Sequence, residues 1–210
     1  MKTFKNYVLV FALIVSTAFV NSISVAFGFM DNTTSATSLT LGIGTWDTSA
    51  YSTGFESFTN TNTGTLTLDI DGLSWELNNV VQSQSGDITM DTTAARILQN
   101  GSMTSVNYFT GLQVISLYVA MSKLQGAFTY SVYISDNGTQ WTAVIDQHKP
   151  PLTYEYNAVD VNALIQAGLT LASGATATTS TPLKIKIECV ANKSLAFLID
   201  NLDFSYSDIS

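Results

Sequence analysis

Few side chains in this sequence can do covalent or acid–base chemistry. There is one His, His148, and one Cys, Cys189. A single Cys forms neither a disulfide within the chain nor a Cys-based zinc site. His148 lies in Asp146-Gln147-His148-Lys149-Pro150-Pro151, a polar, Pro-terminated stretch that reads as a surface loop. The sequence has no G-x-S-x-G elbow, no H-E-x-x-H pair and no phosphate-cradling glycine loop. Sixteen Asp and Glu offer carboxylates, yet no pair is marked as the acid and nucleophile of a glycosidase. Asp69-Ile70-Asp71-Gly72 begins like a calcium loop but lacks the later ligands, so it reads as a hairpin turn. The expectation is a protein that is not an enzyme.

Side chains suited to non-covalent recognition are better represented. Asn107-Tyr108-Phe109 lies in a polar stretch bounded by Gly101 and Gly111, which reads as a loop. Rings there could stack on a sugar face, with Asn107 or Arg96 donating hydrogen bonds. Arg96 is the only Arg, and its structural alternative is an ion pair with an acid such as Asp91. In Tyr154-Glu155-Tyr156 the alternation puts Tyr154 and Tyr156 on one strand face, as a binding strip or a packed edge. Trp75 and Trp141 each follow a hairpin turn, where a large ring most often fills a core. The sequons at Asn32, Asn100, Asn137 and Asn192 matter only in a glycosylating host.

Composition narrows the partners. The chain has 210 residues and a net charge of −8, is 46% hydrophobic and only 11% charged. Eight Lys and Arg are too few for a basic nucleic-acid surface. Residues 1–26 read as a signal peptide: Lys2 and Lys5 precede the apolar run Tyr7–Val20, and Ser24 and Ala26 are small residues suited to cleavage. That run is short for a membrane span, and no other segment approaches one. The expectation is a secreted or cell-surface protein, free of the membrane after cleavage, with six bases against sixteen acids.

The rest must be built from strands. Alternation rich in Val, Ile, Thr, Tyr and Phe recurs at Leu39–Trp46, Gly54–Phe58, Thr63–Ile70, Leu73–Val80, Ala94–Gln99, Leu112–Met121, Phe128–Ser135, Trp141–Asp146, Leu183–Val190 and Leu195–Tyr206. Asp71-Gly72 and Asp136-Asn137-Gly138 carry hairpin chemistry between neighbouring runs. One short helix is expected at Asp160–Ala167, capped by Asp160 and stopped by Gly168. Thr170–Pro182 reads as irregular. The fold class is all-β: an antiparallel β-sandwich (jelly roll) of about ten strands over 54–210, with 27–53 as an N-terminal extension.

Three groups of residues carry a resemblance. The body opens with Gly54-Phe55-Glu56-Ser57-Phe58 and closes with Phe197-Leu198-Ile199-Asp200-Asn201-Leu202-Asp203-Phe204. Between them Ser135-Asp136-Asn137-Gly138-Thr139-Gln140-Trp141 looks like the hairpin of discoidin-like modules. Together these resemble the galactose-binding-like jelly rolls of secreted bacterial proteins. The resemblance implies a non-catalytic module for glycans or other extracellular surface material. It also implies a structural Ca2+ shared by the first and last strands, which falls on Glu56 and Asp200. Separately, Ala26–Thr34 with Leu39–Trp46 loosely resembles the export region of camelysin-type matrix-fibre subunits. That likeness implies the alternative, a fibre subunit that self-assembles through a free N-terminal strand.

Overall fold

The computed structural model describes residues 48–121, 128–191 and 196–210. The expected signal peptide and the expected strand at Leu39–Trp46, on which the fibre alternative turns, lie outside the described residues.

Among the described residues twelve strands and one helix follow in order: β1 (Ser49–Thr53), β2 (Thr65–Ile70), β3 (Leu73–Gln82), β4 (Ala95–Ser105), β5 (Phe109–Thr110), β6 (Val114–Met121), β7 (Phe128–Ser135), β8 (Thr142–His148), β9 (Glu155–Asp160), α1 (Val161–Gln166), β10 (Lys184–Ala191), β11 (Ala196–Tyr206) and β12 (Asp208–Ile209). Every pairing among them is antiparallel. Hydrogen bonding runs β8-β7-β10-β4-β11-β6-β9, with β3 and then β2 beyond β4, and with β1 on β11. The result is a jelly-roll-like β-sandwich.

The two layers are joined through β4. Its C-terminal half pairs with β10 (Ser102–Thr104), and its N-terminal half pairs with β11 (Ala95–Leu98). Between these halves the register against β3 shifts, and Asn79 (φ 52°) and Asn100 (φ 55°) adopt left-handed backbone. Gly101 is needed at this bend, because a Cβ there would stand 2.8 Å from the carbonyl oxygens of both Asn78 and Asn79. One layer is therefore β2-β3-β4-β10-β7-β8, and the other carries β1, β11, β6 and β9.

Alternation makes the core. Ile115, Leu117 and Val119 of β6, Leu202, Phe204 and Tyr206 of β11, Ile185 and Ile187 of β10 and Trp75 of β3 all turn inward and are buried. Phe204 meets Phe109 at 4.9 Å and Tyr51 at 5.0 Å between ring centroids. Trp75 donates to the Tyr51 hydroxyl (3.3 Å), which donates to the Ile70 carbonyl (2.9 Å). Burial pushes the Tyr51 phenol up to about 12. Asp71 (φ 49°) and Gly72 (φ 89°) form the expected hairpin turn, and Asp160 caps α1 by accepting from the Ala163 N–H.

Several expectations are corrected. The sandwich includes Ser49–Thr53, ahead of the expected start at Gly54, because β1 pairs along β11 from Tyr206 to Leu202. Gly54–Phe58 is a turn, not a strand. Phe55 (φ 59°) donates its N–H to the Thr53 hydroxyl, and the turn drives Phe55 and Phe58 into the core. Trp75 is buried as expected, but Trp141 is only half-buried. It precedes β8 and lies under the Lys186 ammonium, 4.9 Å from its ring centroid.

Candidate functional site

The outer face of the β11-β6-β9 layer divides into a covered half and an open half. In the covered half Arg96, Leu198 and Ala120 stand in register. Segment 83–94 crosses there, and Asp87, whose side chain is fully buried, lies 3.7 Å from Arg96. In the open half, Tyr156, Tyr118 and Asn201 occupy one row across three strands. The two rings lie 5.1 Å apart at 54°, and Tyr156 is 53% exposed. Beside this row runs a second, Ala158, Ser116, Asp203 and Ser52, in which Ser52 donates to Asp203. Short side chains next to a ring pair make a shallow floor flanked by an aromatic wall.

An acid cluster sits near the boundary of the two halves. Ligand oxygens of Glu56, Asp91 and Asp200 all lie within 4.8 Å of one another. Glu56 and Asp91 are exposed, whereas Asp200 is completely buried. Asp200 falls where the register of β11 against β6 shifts, between Ile199 and Asn201. Its Oδ2 accepts the Met90 N–H at 2.5 Å, and its Oδ1 is buried with no hydrogen-bond partner among the described residues. Glu56 accepts from the N–H (3.1 Å) and the hydroxyl of Thr92, which fixes segment 83–94 against the start of the sandwich. Burial raises the Asp200 pKa above the usual carboxylate value, against the Met90 N–H and Tyr154, while the charges of Glu56 and Asp91 push it further up.

These residues fit a hard divalent cation. Three carboxylates from three chain segments converge, and the most buried one has an oxygen, Oδ1, with no hydrogen-bond partner among the described residues. Calcium is held by such oxygens, completed by carbonyls and water. Glu56 and Asp200, assigned by resemblance, do come together. Asp91 was expected as a partner for Arg96. The structure instead gives Arg96 to Asp87 and leaves Asp91 in the cluster.

The expected aromatic loop does not assemble. Phe109 is fully buried, packed on Phe204 and on Tyr206 (5.0 Å): Gly101–Ser105 belongs to β4, residues 106–108 lie between strands, and Phe109 itself begins β5. Its backbone exchanges hydrogen bonds with Leu183. Tyr108 is half-buried under the Lys184 ammonium, 4.9 Å from the ring centroid. The Asn107 carbonyl accepts from Ser105, and Arg96 stands elsewhere, on the covered half-face. Tyr156 does lie on an open face. Tyr154 lies before β9 and donates to the Ile88 carbonyl (2.9 Å). Burial first, and then the Asp200 charge, drives its phenol well above the ordinary value. Tyr118, Asn201 and Asp91 were missed. Tyr118 stands in outward phase with Val114 and Ser116, but only the β6–β9 pairing shows that it faces Tyr156.

His148 is 3.2 Å from Glu155, and no other acid is paired with it among the described residues.

No protein-family model matches the chain, and no curated protein matches it. The chain is similar to several solved structures. A carbohydrate-binding module solved in complex with β-1,4-galactotriose is 10% identical, with 74% of this chain and 94% of that one covered and a TM-score of 0.43. A cleaved adhesin domain of Lys-gingipain from Porphyromonas gingivalis is 14% identical, over 74% and 97%, with a TM-score of 0.45. A xylan-binding domain from Paenibacillus barcinonensis is 12% identical, over 76% and 95%, with a TM-score of 0.45.

Proposed function

We propose that this domain is a non-catalytic, extracellular glycan-binding module that receives a sugar chain on the open face of β11-β6-β9. The observation that carries this reading is the row Tyr156–Tyr118–Asn201. The aromatic faces offer apolar surface to the C–H faces of a pyranose, and Asn201 and Asp203 can pair with its hydroxyls. Ser116 and Ala158 are small enough to let the chain approach the sheet. The acidity of the sequence favours a neutral glycan over a polyanion. The leader-like residues 1–26 support export. Calcium at Glu56, Asp91 and Asp200 has a structural role in this reading, tying segment 83–94 and the first turn to β11.

Affinity electrophoresis of the purified chain through gels containing xylan, β-glucan, galactan or soluble chitin tests the reading. At least one gel is expected to retard the protein, and Tyr156→Ala should remove the retardation without changing the melting temperature. The reading fails when no gel retards the chain, or when Tyr156→Ala is retarded as strongly as the parent.

A further inference from the structure

The acid cluster and the tyrosine row share their connections. Asp200 is followed directly by Asn201, the third member of the row, so the residue that turns into the cluster sets the backbone from which Asn201 projects. On the opposite edge, Tyr154 stands two residues before Tyr156. Its hydroxyl holds the Ile88 carbonyl of segment 83–94 and bears on the Asp200 carboxylate. That segment also supplies Asp91 and the Met90 N–H that grips Asp200. Among the described residues, β9 is the terminal strand of its layer, paired along one side, with β6. Its order therefore depends on what anchors its start: Glu155 is held toward β8 by His148, and Tyr154 is the side chain that ties it to segment 83–94.

Without a cation, three carboxylates face one another, one of them buried, and segment 83–94 is held against their repulsion. A bound cation reverses that force and draws Asp91, Glu56 and Asp200 together. Segment 83–94 then presents Ile88 to Tyr154 in a fixed position.

We propose that divalent-cation occupancy of Glu56, Asp91 and Asp200 orders the tyrosine row, through Tyr154 on one side and Asp200–Asn201 on the other, so that the face is competent only when the cation is bound. This rests on reading the cluster as a cation site and the face as a glycan surface. By linkage, a glycan on the face tightens cation binding by the same factor that the cation tightens glycan binding. Tyr154 acts here as a positioning residue.

The test is hydrogen–deuterium exchange on the full chain in calcium chloride and in EDTA, alongside calorimetric calcium titration. Calcium is expected to slow exchange several-fold in β9 and in the facing part of β6, and to leave the β2–β3 hairpin unchanged. Tyr154→Phe should bind calcium with similar affinity while its β9 exchange no longer responds. Asp200→Asn, the cation-site control, should lose both responses. The inference is overturned when calcium binds but β9 exchange stays the same, when Tyr154→Phe still transmits the full response, or when the chain does not bind calcium. Running the polysaccharide gels in both buffers separates the two readings. No retardation in either buffer defeats the glycan reading, while the exchange data still decide the coupling.

Discussion

The two outer faces of the sandwich both carry aromatic rings, but the rings are used differently. On the β2-β3-β4-β10-β7-β8 layer, Tyr133, Lys186, Thr104 and Glu76 form one row. Lys186 Nζ stands 4.6 Å from the Tyr133 ring centroid and 4.9 Å from that of Trp141, while forming a 2.7 Å ion pair with Glu188. Lys184 covers Tyr108 in the same way. These π faces are already filled by ammonium groups of the chain itself. On the other layer, Tyr118 and Tyr156 face each other, no ammonium lies over either ring among the described residues, and Tyr156 faces solvent. The acids differ in parallel: Glu188 is neutralised by Lys186, whereas Asp200 is buried among other carboxylates. Aromatic content alone does not mark a binding face. What marks it is a ring with nothing over it.

The largest effect that sharpens this contrast is calcium-dependent stability. An ion bound only by the native state stabilises it by about 2.7 kcal/mol at a hundredfold excess over Kd. Calcium should therefore raise the melting temperature of the parent chain, and Asp200→Asn should abolish that rise in scanning calorimetry. pH gives the sign. Because the folded pKa of Asp200 is raised, the cation-free native state keeps a proton that the unfolded chain has released. Its stability then falls as pH climbs from the ordinary carboxylate range through the raised value. The calcium-induced gain should grow across the same window, since the ion needs the ionised carboxylate. A gain independent of pH would detach Asp200 from the ion.

Next in size is the difference between Tyr156→Ala and Trp141→Ala. Losing the apolar cover of one ring should weaken polysaccharide binding by about 1.5 kcal/mol, roughly tenfold. Tyr156→Ala should do this with little change in melting temperature. Trp141→Ala should lower the melting temperature and leave retention in the gels unchanged. The opposite pattern would exchange the roles of the two faces.

What the sequence revealed divides along local and non-local lines. Alternation in Leu183–Val190, the Asp71-Gly72 turn and the Asp160 cap are local signals, and each element forms where its residues place it. β1 was not read as a strand, because its five residues, Ser-Ala-Tyr-Ser-Thr, have only Tyr51 as an inward anchor of any size. Its pairing is fixed by β11, some 150 positions away in sequence. The same holds for the site. Glu56 and Asp200 were found because their flanking motifs are recognisable, but Asp91 depends on how segment 83–94 folds over the face. Phe109 looked open because its neighbours are polar. Yet Asn107 and Thr110 remain half-buried around it, while its own ring fills the gap between Phe204 and Tyr206.

The smallest effect is the most discriminating for the lysine-covered face. A cation–π contact at a partly exposed site is worth about 0.5–1 kcal/mol, and an exposed ion pair about 0–1 kcal/mol. Lys186→Met keeps the apolar stem that covers Tyr133 and Trp141 and removes the charge. It should cost about 1 kcal/mol in urea denaturation, with the ion-pair share shrinking as salt is added. Lys184→Met should cost less, because Lys184 covers only Tyr108. Neither change should alter retention on any polysaccharide gel. If Lys186→Met instead strengthened retention, removing the ammonium from the Tyr133 and Trp141 rings would have made them a sugar platform, and freedom from a cation would stand as the controlling variable on both faces. If it abolished retention, the ammonium itself would be the ligand contact, and the binding face would belong to the opposite layer.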